Sequence, residues 1–268
     1  MPFTLSHPAA VIPLRRFGVF SALVIGSMMP DTVYFLPFFS EHDRFGHTLP
    51  GIFFYCLPAG MALLWIFHNF AKRPLIALFP QSQQAALQSV SQDFRFGPVS
   101  RFALIVWSML LGAATHVLWD SFTHLDSYAF EHWAWFSQPV RLWNGSKLWM
   151  VEILQLVCSV AGIAIIVWCY RRWLRRTNRD VGITPGPRVS FKVRAALFLV
   201  FAVSAALPLG IRLLSEPDYW LDARRRNLVS FGIVDGIKIV CAEVLLFCVL
   251  WHVMRSRTGQ PMGHSSEA

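Results

Sequence analysis

Apolar runs close to twenty residues long recur along this chain, and they restrict it to one kind of fold. A helix rising about 1.5 Å per residue needs about 20 apolar residues to cross a hydrocarbon core roughly 30 Å thick. Within lipid, each backbone N–H and C=O must be satisfied inside the spanning element, so runs of this length read as helices. Crossings are expected over about 17–39, where Pro30-Asp31 interrupts the segment, 51–70, 101–122, 148–170, 194–214 and 230–254. Composition agrees: only 15% of residues are charged, against about 25% in a soluble domain. The expected fold is all-α, a polytopic integral membrane helical bundle of about six transmembrane helices. A short amphipathic helix over 3–16 precedes them, with Ser6 able to cap it and Pro8 in its first turn. Residues 1–268 read as a single membrane domain, without internal repeat.

The net charge of +9 comes from basic residues flanking the apolar runs, densest at 171–179. That placement suits orientation and anionic headgroups better than nucleic acid, so the expected partners are membrane lipids. Placing the excess Lys and Arg inside puts both termini in the cytoplasm. The opening residues lack a basic segment ahead of an apolar core, so the first span is expected to stay as an uncleaved anchor. Cys56, Cys158, Cys169, Cys241 and Cys248 all sit in apolar runs without a CxxC pair. They read as packing residues rather than a disulfide framework or a thiolate zinc site.

Polar residues inside such runs are costly and are retained for a task. His116, Asp120 and His124 recur every fourth residue in THVLWDSFTH, on one face of a helix. Imidazole and carboxylate together suit divalent metals. On a straight helix His116 and His124 stand about 12 Å apart, too far for one ion. His116 and Asp120 can share one, and His124 can join if the helix ends near Ser121 or serve a second ion, so one or two metal sites are expected. The remaining ligands are expected from His7 in SHP, Asp31 in MPD and His47 in GHT. The charge-based orientation puts His7 on the opposite side from the others, unless residues 3–16 fold back or the first span is re-entrant. Glu152 and Gln155, one turn apart, offer a general base or outer ligand, or an interface hydrogen bond. Asp126, Glu131 and His132 read as solvated loop residues. Asp235 and Lys238 read as an ion pair, and Glu243 as a membrane carboxylate partnered by Lys238 or Arg212.

The motifs MPFTLSHPAAVIPL, GSMMPD, GHTLPG and GAATHVLWDSFTH together resemble a bacterial membrane-protein family known as domain of unknown function number 4184. The resemblance runs over residues 1–162, leaving 163–268 as additional helices, a basic linker and a polar tail. The pattern is also similar to inner-membrane proteins labelled metal-dependent hydrolases. More distantly, its HxxxD is similar to that of zinc-dependent phospholipase C and related nucleases. This chain departs from those enzymes in the closer spacing of His124 and in having Glu131-His132 for their HxxxE.

The resemblance implies the bacterial inner membrane and a divalent ion, zinc first, held by His7, Asp31, His47, His116, Asp120 and His124. It also implies catalysis by His116 and Asp120, with Glu152 added from the reading above. The function expected is a membrane-embedded metal-dependent hydrolase, with water as nucleophile, acting on a phosphoester or amphiphilic lipid-type substrate. No serine nucleophile elbow is present. The alternative is a non-enzymatic membrane protein, in which the same residues carry a metal or proton or only fix helix packing.

Overall fold

A computed structural model describes residues 3–36, 44–89, 94–125, 127–141, 147–177, 189–215 and 223–257, the last from 231 onward for side chains. The basic linker's ITPGP and the polar tail lie outside the described residues. The architecture is all-α apart from one small hairpin, β1 (Pro139–Arg141) antiparallel to β2 (Lys147–Trp149).

The chain divides into two compact units. The first comprises residues 1–66 and 93–180. It opens on short pieces: a 3-10 turn Thr4–Ser6, α1 (Pro8–Val11), a 3-10 turn Pro13–Phe17, α2 (Phe20–Gly26) and a 3-10 helix Met29–Phe35. Proline at three of these starts supplies a preset φ and no N–H, which begins a turn and keeps the preceding piece short. Ser6 does not cap as expected. Its hydroxyl donates to the Phe3 carbonyl at 2.7 Å.

Of residues 17–39, expected as the first crossing, the described residues 17–36 form no helix long enough to span. Seven-residue α2 rises only about 10 Å, and its successor turns at Pro30. The short pieces bring His7 beside the other expected ligands. The orientation argument that counted this segment as a crossing therefore loses its first step.

A long helix, Leu49–Ala77, follows. Its α-helical stretches α3 (Leu49–Gly51), α4 (Leu57–Ile66) and α5 (Lys72–Ala77) are joined by π-helical turns at Ile52–Cys56 and Phe67–Ala71. After α6 (Gln81–Ser89) come α7 (Val99–Asp120), α8 (Tyr128–His132) and α9 (Met150–Thr177). The packed centre of the first unit is where α2 lies against α7. Gly112 permits it: a Cβ there would meet the Leu23 carbonyl at 2.4 Å. Leu23, Ile105, Met109 and Ala113 are buried around this contact.

The second unit comprises residues 67–92 and 181–268. In it α10 (Phe191–Ser215) packs on α11 (Ala223–Arg257). Arg212 and Lys238 both reach Asp235, at 2.6 and 3.5 Å, as the ion-pair reading anticipated for Lys238. Glu243 takes neither expected partner among its described bonds; it accepts from the Ser204 hydroxyl at 2.6 Å. Its other oxygen, Oε2, is buried without a well-formed hydrogen bond.

Four helices among the described residues are long and apolar enough to cross a membrane: Leu49–Ala77, Val99–Asp120, Met150–Thr177 and Phe191–Ser215. They coincide with the expected second to fifth crossings. The sixth falls within α11, which is not one of the four.

Candidate metal centre

Each motif places its ligand by ordinary local means. In GHTLPG, Gly46 lets the turn Phe45–His47 approach the turn at Pro30, whose carbonyl would lie 2.4 Å from any Cβ added there. Thr48 then caps the next helix by accepting from the Gly51 N–H at 3.0 Å, with Pro50 in the first turn. His47 is held between the two. In MPD, Pro30 starts the 3-10 helix and leaves Asp31 buried at 1% exposure. In THVLWDSFTH, α7 runs through His116 and ends at Asp120. The chain turns there, bringing the His124 Nε2 to 3.7 Å from Asp120 Oδ2. The condition for His124 to join is thus met.

Four of the expected residues, Asp31, His47, His116 and Asp120, bring one ligand atom each within 4.8 Å of one another. His116 Nε2 stands 3.2 Å from Asp120 Oδ2, 3.4 Å from Asp31 Oδ1 and 3.3 Å from His47 Nε2. His47 Nε2 stands 3.5 Å from Asp31 Oδ1 and 3.3 Å from Asp120 Oδ2. These separations exceed the about 2.7–2.9 Å of a charge-assisted N–H···O bond. The five match the about 3.3–3.4 Å between ligands held about 2.0–2.1 Å from a tetrahedral centre, and the sixth, Asp31 to Asp120, lies within 4.8 Å.

Hydrogen bonding supports a cation at that centre. His116 Nδ1 lies 2.7 Å from the Ser27 carbonyl, so Nδ1 carries the proton and donates. Its Nε2 is then a lone-pair donor aimed at His47 Nε2 and two carboxylates. Such an outer bond from imidazole to a carbonyl is what fixes the ring of a metal-bound histidine. Asp31 is fixed likewise, its Oδ2 accepting from the Thr4 hydroxyl at 2.6 Å. Its Oδ1, both oxygens of Asp120 and both ring nitrogens of His7 are buried without a well-formed hydrogen bond. Buried carboxylate oxygens with no partner are rare because they are expensive. A divalent ion resolves several of them at once, so the donor set fits a metal.

His7 and His124 form an outer pair. The His7 ring stacks on His116 with centroids 3.8 Å apart, and its Nε2 is 3.6 Å from Asp120 Oδ1. Burial, reinforced by the neighbouring His116, holds the His7 pKa down at about 4. His124 is lowered too, by burial, and its Nδ1 faces the Asp120 carbonyl at 3.2 Å. Burial also opposes charge on His47, but Asp120 and Asp31 beside it outweigh that and raise its pKa. The outer pair is therefore neutral at pH 7, the state a metal or a proton acceptor requires.

Glu152, expected as a general base, stands in the first turn of α9, where it accepts from the Trp149 N–H at 2.9 Å. This is a helix-capping bond, and Glu152 is not one of the four converging residues. Glu131 and His132 are exposed on α8 as anticipated, and Asp126 lies outside the described residues. Thr4 and the Ser27 carbonyl were not anticipated. Backbone acceptors carry no sequence signal, and one threonine in an N-terminal stretch carries little.

The chain belongs to the family described as a domain of unknown function (DUF4184), whose model matches residues 1–249. The match extends beyond the 162 residues that carry the quoted motifs and takes in α10 and most of α11. No curated protein and no solved structure matches the chain.

Proposed function

We propose that this protein is a membrane-embedded metal-dependent hydrolase of the bacterial inner membrane, acting on a phosphoester. The observation that carries the reading is the convergence of ligand atoms from Asp31, His47, His116 and Asp120 within 4.8 Å of one another, beside buried oxygens without well-formed hydrogen bonds. The separations favour zinc over magnesium, whose octahedral ligands at about 2.0–2.1 Å would sit about 2.8–3.0 Å from their neighbours. Two carboxylates and two neutral imidazoles balance the charge of a divalent ion. Such an ion brings the pKa of a bound water toward 7 and polarises a phosphoryl oxygen.

This chain's own residues would orient and move protons. His47 and His124 form the more accessible edge of the cluster, with side chains 16% and 19% exposed. Substrate enters there. Neutral His124 takes the proton as a water oxygen bonds to phosphorus. The P–O bond to the alcohol then breaks, and the proton passes to the departing alkoxide. A purely structural polar network is disfavoured, since such a network satisfies its buried atoms and this one leaves them without well-formed bonds.

The test is hydrolysis of bis(p-nitrophenyl) phosphate by protein in nanodiscs, stripped with chelator and reloaded with zinc. Zinc-dependent p-nitrophenolate release, reduced at least 100-fold in His116→Ala and Asp31→Asn, is the expected result. Release unchanged in those variants, or none from zinc-loaded protein, contradicts the reading. Zinc flux into proteoliposomes without hydrolysis would point to transport.

A further inference from the structure

Beside the cluster, in the same unit, α1, α7 and α9 enclose a cleft of about 330 Å³. Its walls include Ala10, Thr115, Trp119, Phe122, Leu154 and Cys158. No charged side chain lines it. The hydroxyl of Thr115 donates to the Gly112 carbonyl at 2.7 Å. That of Thr123, also in the lining, donates to the Trp119 carbonyl at 3.2 Å. The threonines thus keep their hydroxyls on their own helix, and the surface left is hydrocarbon. Such a lining offers nothing to a polar headgroup and suits an alkyl chain.

The lining of the cleft neighbours the metal cluster along the chain. Thr123 precedes His124, and Trp119 precedes Asp120. Ala10 lies one turn from His7, its N–H donating to the His7 carbonyl at 3.0 Å. Trp119 on α7 and Thr123 just beyond its end thus each adjoin a residue of the cluster or its outer pair in sequence, and Ala10 on α1 lies one turn from His7. At about 30 Å³ for a group the size of a water molecule, the cleft holds about ten methylenes. That is one chain, not two.

We propose that this cleft is the alkyl-chain subsite of the metal site, taking the hydrocarbon tail of an amphiphile whose phosphoester head lies at Asp120 and His47. The inference rests on the metal-site reading and narrows its substrate to a phosphoester carrying a tail. Each methylene transferred from water into such a cleft gains about 0.8 kcal/mol, roughly fourfold in affinity, so a tail supplies the binding that a small phosphodiester lacks.

The test uses the full chain in nanodiscs and two photoreactive probes, a dodecylphosphonate with a terminal diazirine and the matching dodecanol. Cross-linked peptides are mapped by mass spectrometry, and metal is measured on the same samples. The phosphonate is expected to label peptides spanning 115–123 and 154–158 at least tenfold more than the alcohol does. Cys158→Trp, and independently Ala10→Leu from the opposite wall, should each reduce that labelling at least tenfold while bound metal stays at the wild-type level. Labelling unaffected in both variants, or no stronger at the cleft than on α10, overturns the proposal. Equal labelling by the two probes with metal present makes the cleft a general lipid site and overturns the subsite assignment alone. Protein without metal overturns the reading beneath it.

Discussion

At the scale of single residues, the account turns on how each ligand is fixed at its far side. His116 gives its Nδ1 proton to Ser27 and Asp31 receives a proton from Thr4, leaving the inner atoms as lone pairs. Losing such an outer bond typically weakens metal binding 10–100-fold. Thr4→Val is therefore expected to raise the Kd for zinc by that factor, measured by competition with a fluorescent chelator, with the fold retained. His7 supplies a pH prediction for the metal-free protein. Its folded pKa, about 4, lies below the roughly 6.5 of an unfolded chain. Its contribution to stability is whole above pH 6.5 and is lost as pH falls toward 4. Thermal unfolding of apoprotein should accordingly show a smaller fall in Tm between pH 6.5 and 4 in His7→Asn than in wild type. An identical fall would refute a buried neutral His7. The four converging ligands were legible in the sequence because each is an ionisable residue in an apolar setting, beside a proline, a glycine or a helical repeat. Thr4 and the Ser27 carbonyl were not, because a hydroxyl and a backbone oxygen occur everywhere.

At the scale of elements, the site exists because short pieces are wedged between long ones. The first segment was misread because hydropathy counts apolar residues without asking whether the helix survives. Residues 17–39 are apolar enough to span, but after the seven-residue α2 the described chain continues as a proline-started 3-10 helix. The long helices, by contrast, carry continuous apolar runs, and they appear where expected. Gly46 is the tightest joint between the turns bearing Asp31 and His47. A methyl there must displace the Pro30 backbone, so Gly46→Ala is expected to destabilise by about 1–3 kcal/mol and to lower zinc content, measured by thermal unfolding and metal analysis together. Glu152 is the opposite case. If it caps α9, Glu152→Ala should lower Tm by a few degrees, about 0.5–1 kcal/mol, with zinc content and phosphodiester hydrolysis unchanged. A loss of hydrolysis at constant Tm would restore it as a catalytic base.

At the scale of the whole molecule, membrane-length helices hold an ionisable cluster that is unfavourable without a cation. Two buried carboxylates side by side repel, and removing the ion should return that cost to the fold. Ligand linkage sets the size: about 4 kcal/mol when free metal is 1,000 times Kd. The measurement that tests the central claim most directly is elemental analysis of the purified chain beside His116→Ala. The account predicts about one zinc per wild-type chain, removed by chelator with a fall in Tm, and at least tenfold less in the variant at equal fold and yield. Wild-type protein that carries no transition metal, takes none up on reconstitution and behaves as His116→Ala does would contradict it.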